Sequence, residues 1–222
     1  ERPMIAAIFR SRAAGFLCRY RLWLLGIVAV LCFADVAAVA ISYLVYPGYL
    51  DHGEPVVAMM SWRVLEGFPA YPPFDGPDQT TNIYGPVTYL VHALPYLLAG
   101  PGVASGKAAG LAAMASILFI VFGTHRRLGL SQALVATVLA AGFVLVAVPT
   151  SVWNRPDPFL ALLVAVSVCL MRTSAPGRPE WGRSLAIALC GGLAVGFKIH
   201  AGLYFVPVAL YHCTGRGFKI FL

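Results

Sequence analysis

Three side chains in this sequence could do chemistry by type: one carboxylate, Asp51, as a base or counter-charge, and two cations, Arg155 and Lys198, as holders of an anion. Asp51 follows the first long apolar segment by about five residues. It can serve as a general base, or as a charge opposite a developing cation. The plainer role is a helix cap or a solvated loop acid. Arg155 lies in Asn154-Arg155-Pro156-Asp157-Pro158. Its fork can hold an anion, with Asp157 as its ion-pair partner. Equally, Asn154 or Asp157 before a helix, with proline at its start, is ordinary N-terminal capping. Lys198 separates two apolar stretches, 185–197 and 199–211. It is either a point charge for a phosphate or a side chain snorkelling to an interface. His200, two residues on, adds a donor or merely packs.

These residues sit among other polar signals. The segment 47–84 carries Asp51, Glu54, Glu66, Asp75 and Asp78 against one base, Arg63. Glu54 precedes Pro55 and is expected to cap a short helix, with support of the site second. Val56, Val57, Met60 and Val64 would share one face of that helix, lying along a membrane surface. The stretch 67–77 is rich in proline and glycine and reads as loop. Trp62, Phe68, Tyr71 and Phe74 are loop packing or a stacking surface for a sugar ring or isoprenoid. Tyr84, Thr88, His92 and Tyr96 recur every fourth residue. That polar stripe either faces an interface or walls a cavity. Asp35, inside the first apolar segment, is expected to face a cavity or another helix.

The elements that must position these groups are membrane helices. Of the 222 residues, 59% are hydrophobic and only 11% charged, with a mean hydropathy of +0.79. That charged fraction is about half the usual soluble value. Long apolar runs match a bilayer core of ~30 Å. Spans are expected at 22–46, 103–124, 131–150, 157–171, 184–198 and 200–213. The segment 22–46 is too long for a cleaved signal peptide. The segment 86–99 covers only about 21 Å as a helix. If it does not cross, the arginine clusters at the N-terminus, 126–127, 172–183 and 216–219 all fall on the cytoplasmic side. Arg63, Lys107, Arg155 and Lys198 then fall outside, with the acidic loop. The expected fold class is therefore all-α: a polytopic transmembrane bundle of six spans, or seven if 86–99 crosses. Its long external first loop contains short interfacial helices. Residues 1–222 form one module, with 47–84 as its external catalytic loop, and the stop after a polar connection fits a piece of a longer chain.

The net charge of +7 does not indicate nucleic acid, because the basic residues lie in short clusters between spans. Cys18, Cys32, Cys169, Cys190 and Cys213 lie in or beside spans, match no zinc spacing and read as small apolar fillers. No internal repeat is evident.

The order of these pieces resembles the GT-C superfamily of integral-membrane glycosyltransferases, especially the group with protein O-mannosyltransferases and lipid A aminoarabinose transferases. The resemblance runs over most of the chain. It rests on Asp51-x-x-Glu54 after the first span, Leu65-Glu-Gly67 followed by Tyr71, and Tyr84-Gly-Pro86 before an apolar segment. It continues in Asn154-Arg155-Pro-Asp157 at a helix start and Gly196-Phe-Lys198-Ile-His-Ala-Gly202 before another span. It implies a polyprenyl-phosphate-linked sugar donor and a glycan, lipid or protein acceptor. Transfer would occur on the non-cytoplasmic face of a bacterial plasma membrane, in the service of the cell envelope, with the N-terminus cytoplasmic. Asp51 would be the base, and Lys198 and Arg155 would hold the lipid phosphate, with Glu54, Tyr84, His92, Asp157 and His200 supporting or binding substrate. No cofactor and no metal are expected, since the lipid-phosphate sugar is a substrate. The chain departs from the family at Tyr84-Gly-Pro86, where several relatives have Lys-Pro-Pro, and at His52, which stands where some have a second acid.

Two other classes compete. A flippase or transporter of a lipid-linked sugar would favour paired repeats and broken midplane helices. A noncatalytic membrane scaffold would leave Asp51 facing bulk water. Convergence of Asp51, Arg155 and Lys198 discriminates against the scaffold.

Overall fold

The computed structural model describes residues 2–73, 75–76, 84–147, 152–172 and 181–212. Phe74, Asp78, Arg178, Cys213, Arg216 and Lys219 lie outside the described residues. Within them the chain is all-helical, in the order α1 Arg2–Val45, α2 Gly53–Leu65, α3 Pro86–Ala99, α4 Val103–Arg126, α5 Leu130–Ala147, α6 Asp157–Arg172, α7 Trp181–Phe197 and α8 Gly202–His212. A short 3-10 turn, Ile199–Ala201, separates α7 from α8.

Helix ends follow local chemistry. The helical part of α1 begins at Arg2, well before the expected apolar segment, because nothing in the basic N-terminal stretch interrupts it. It stops just before Pro47-Gly48. α2 accepts Pro55 in its first turn, where no backbone donor is lost. It ends at Leu65, two residues before Gly67, whose φ of 82° is left-handed and favours glycine. α3 starts with Pro86 directly after extended Gly85. Among the described residues, only Trp23–Val45 of α1 and all of α4 are both long and apolar enough to cross a membrane; α3, Leu130–Phe143 of α5, α6 and α7 are shorter apolar helices.

α4 is the hub. It packs against α1, α3, α5 and α6, while α2 lies on α3, and α6, α7 and α8 pack against one another. One core cluster joins Leu160 of α6 to Cys190, Ala194 and Phe197 of α7 and Phe205 of α8. A second gathers Val57, Met60, Tyr84 and Tyr89, with Val56 and Val64 at its edge. The residues expected to share one face of α2 do share it, and that face packs against Tyr84 and Tyr89. Cys190 fills core space as expected, and Cys169 accepts a contact from Thr124 Oγ1 at 3.4 Å.

Two close approaches lock the site-bearing segments together. Gly85 donates its N–H to the Phe197 carbonyl at 2.8 Å. Thr88 Oγ1 donates to the same oxygen at 3.1 Å. A Cβ on Gly85 would run into the Gly196 carbonyl oxygen and lie 2.7 Å from its carbon. Backbone cannot yield as a side-chain tip can. Gly85→Ala is expected to cost about 3 kcal/mol, read as a lower thermal midpoint in detergent; an unchanged midpoint would refute the packing argument. Gly110 plays the same part between α4 and the Trp153 carbonyl.

Asp35 departs from expectation. It packs against no other helix among the described residues and is exposed on the outside of α1. The contacts of α1 with α4 and α5 use the side that buries Ala29 and Tyr43.

Candidate functional site

Four elements meet at one cluster of charges. The α1–α2 loop brings Asp51, the segment closing at Pro86 brings Tyr84, the start of α6 brings Arg155 and Asp157, and the break after α7 brings Lys198. Arg155 Nη1 lies 3.1 Å from Asp51 Oδ2. Its Nη2 and Nε donate to the Tyr84 hydroxyl at 3.0 and 3.2 Å. Its Nε also lies 3.7 Å from Asp157 Oδ2. Lys198 Nζ donates to Asp157 Oδ1 at 2.7 Å and sits 5.3 Å from the Tyr84 ring centre, a cation–π distance.

The side chains of Asp51, Arg155, Asp157 and Lys198 retain 13, 21, 33 and 14% of their exposure. They are partly sequestered yet open on one side. Burial works against the Arg155 charge. The hydrogen bond to the Tyr84 hydroxyl and the charges of Asp51 and Asp157 outweigh it and raise its pKa above the usual arginine value. The guanidinium is therefore permanently charged. The resting cluster pairs two carboxylates with two cations. Asp51 also accepts the Gly53 N–H at 3.2 Å, so it caps α2 while it faces Arg155. His52 is exposed, with Nδ1 3.0 Å from Asp51 Oδ1.

Asp157 stands in the first turn of α6, where its carboxylate reaches Lys198 and Arg155. From it a groove of about 640 Å³ runs along Leu160, Val164 and Ala165 of α6 and Leu203, Tyr204 and Pro207 of α8. Its walls are apolar apart from Asp157 and the Tyr204 hydroxyl.

Glu54 is more than the expected cap. It is fully buried. Its carboxylate accepts the Tyr43 hydroxyl, the Leu50 N–H at 2.7 Å, the Asp51 N–H at 3.2 Å and the Asn154 N–H at 2.9 Å. Asn154 Nδ2 returns a bond to the Glu54 carbonyl at 3.2 Å. Glu54 thus fixes the backbone on both sides of the site, one residue from Arg155 and at Asp51 itself.

The stripe of Tyr84, Thr88, His92 and Tyr96 points inward, all four being buried, while Leu90, Leu94, Leu97 and Leu98 face out. Only Tyr84 reaches the charges. His92 Nδ1 is 2.8 Å from the Thr88 carbonyl, which can only accept, so Nδ1 carries the proton. Its ring packs edge-on against Phe159. His200 is exposed on the 3-10 turn, and no bond ties it to the cluster. His92 also lies against the Arg155 backbone, so it borders the cluster without bonding to its charged side chains, while His200 stands apart from it. Trp62, Phe68 and Tyr71 are exposed, and the Tyr71 hydroxyl donates to the Tyr84 carbonyl at 2.8 Å.

Residue-type reasoning passed over Tyr43 and gave Lys107 no role. Lys107 is fully buried. It donates to the Tyr43 and Tyr46 carbonyls at 2.7 and 2.8 Å, beside the rings of Tyr43, Tyr46 and Tyr49. A cation on the last carbonyls of α1 suits that helix end. The signal was available: a lysine near the start of an apolar helix, and three tyrosines at three-residue spacing where another helix ends. Among the described residues there is no group of three or more His, Cys, Asp or Glu that could hold a metal ion.

The chain matches no protein-family model, no curated protein and no solved structure.

Proposed function

We propose that this chain is a membrane glycosyltransferase that moves a sugar from a polyprenyl-phosphate donor to an acceptor hydroxyl. The observation that carries this reading is the convergence of Asp51, Arg155 and Lys198, with Asp157 between the two cations. The groove between α6 and α8 supports it. An isoprenoid chain lying there would bring its phosphate to Lys198 and Arg155. In this reading α1 and α4–α8 cross the membrane, α2 and α3 line its external side, and the basic N-terminus is cytoplasmic.

The acceptor oxygen attacks the anomeric carbon while the bond from that carbon to the phosphate oxygen breaks. The hydroxyl proton passes to Asp51, and the polyprenyl phosphate departs as an anion. Negative charge grows on the phosphate as the bond breaks, so cations held in advance lower the barrier. Tyr84 orients Arg155 through two hydrogen bonds; it takes the place, but not the charge, of the lysine that the resembling families carry there. An incoming phosphate competes with Asp157 for Lys198 and with Asp51 and Asp157 for Arg155.

That competition gives opposite signs to two substitutions. Lys198→Met is expected to weaken binding of the product, polyprenyl phosphate, by about tenfold or more, the size of one charged hydrogen bond. Asp157→Asn removes a competitor and is expected to tighten it. Inhibition constants in a transfer assay with purified protein in vesicles read both. The same vesicles, offered a panel of polyprenyl-phosphate sugars, test the function itself. Release of polyprenyl phosphate with a glycosylated product supports the proposal. Movement of the intact donor across the bilayer without product would identify a flippase instead.

A further inference from the structure

We propose that the Asp35 face of α1 is a docking surface for a membrane-spanning helix of another protein, one carrying a lysine or arginine at the same depth. The proposal rests on α1 crossing a membrane, and not on the transfer reaction. Trp23–Val45 has a mean hydropathy of 2.6, and only 6% of it is buried by the rest of the chain. Asp35 lies near its middle, about 18 Å from Trp23 and about 15 Å from Val45 along the axis. Its side chain is exposed, and among the described residues no hydrogen bond or ion pair reaches it.

An acid facing hydrocarbon at that depth is expensive and by default has a partner. Lysine and arginine can snorkel, but the single methylene of aspartate cannot span about 15 Å to either interface. The partner must come to it. Val28, Leu31, Val39 and Ser42 lie on the same exposed face at three- and four-residue spacing. Exposed Ala34 and Ala38 beside them allow a second helix to approach closely.

Charge complementarity selects the occupant. A second copy docked through the same face would set carboxylate against carboxylate. No lysine or arginine lies between Trp23 and Val45, so paired copies of α1 supply no cation at this depth. Lys107 is buried and already bonded to two carbonyls.

Synthetic polyleucine helices with one central lysine, or none, test this by energy transfer to the labelled chain in vesicles. The lysine peptide is expected to associate about tenfold more tightly than the plain one, and Asp35→Leu is expected to erase that preference. Asp35→Asn should retain part of it, as a hydrogen-bond partner without the charge. Equal binding of the two peptides, or self-association that depends on Asp35, would overturn the proposal. A membrane-impermeant thiol reagent applied to Arg21→Cys and Tyr46→Cys shows whether α1 crosses. Labelling of both from one side overturns the membrane reading along with the docking surface, whereas opposite-side labelling with no peptide preference overturns the docking surface alone.

Discussion

Asp51→Asn is expected to lower the turnover of sugar transfer by about 10²–10⁴-fold, the range for loss of a positioned general base. Folding should be nearly unchanged, and donor binding should be kept or tightened, since Asp51 competes with the phosphate for Arg155. The reason lies in what asparagine retains. Its amide oxygen can still accept the Gly53 N–H, which aspartate accepts at 3.2 Å. Arg155 loses its partner at 3.1 Å but keeps Tyr84 and Asp157. The local frame therefore stands, while the group that takes the acceptor proton is gone. The kinetic signature is a fall in kcat with the donor KM at or below the wild-type value, as for loss of an interaction made in the transition state. Thermal unfolding in detergent should move little. Full activity in this variant would sink the mechanism. A large loss of stability would instead mean that Asp51 serves chiefly as the cap of α2.

The second large effect is on stability. Glu54→Ala is expected to destabilise the chain by about 3–5 kcal/mol, as for removal of one partner from a buried charged network. Glu54 takes bonds from a phenol and three backbone N–H groups, and its side chain has no solvent to replace it. Removing it takes the acceptor from the Tyr43 hydroxyl and the Leu50 and Asp51 N–H groups, leaves the Asn154 N–H only the Tyr43 oxygen, and removes an anion that favours the buried ammonium of Lys107. Glu54→Gln keeps the shape but turns an N–H₂ group toward other donors, so only part of the loss should be recovered. Glu66→Ala is the control: Glu66 is exposed just past the end of α2, and the change should stay within about 0.5 kcal/mol. A Glu54→Ala protein that unfolds at the wild-type midpoint would refute the account. Activity should fall in any surviving folded fraction, because Glu54 bonds the Asp51 N–H and the residue beside Arg155.

The helices were legible in the sequence because their causes are local. Continuous apolar runs, Pro55 and Pro86 near helix starts and Gly67 past a helix end mark their own positions through backbone sterics. The apolar face of α2 was also legible, since a short amphipathic helix separates its apolar residues by periodicity; that Tyr84 and Tyr89 cover it was not. So were the residue types at the site. Asp51, Arg155, Asp157 and Lys198 stand out because charge is scarce in so apolar a chain.

Their meeting was decided only by the tertiary structure. A helix that is apolar all round carries no periodic mark of which side packs inward. Nothing local states that the turn at Trp153–Arg155 settles against Gly110, or that Gly85 closes on Gly196 to set Tyr84 beside Lys198. Glu54 shows the limit most clearly. Its position before Pro55 predicts a cap, but its burial depends on Tyr43 and Asn154, which reach it from other parts of the chain. Asp35 shows it in reverse. Its chemistry demanded a partner, and the packing of α1 turned it outward, away from every other described helix.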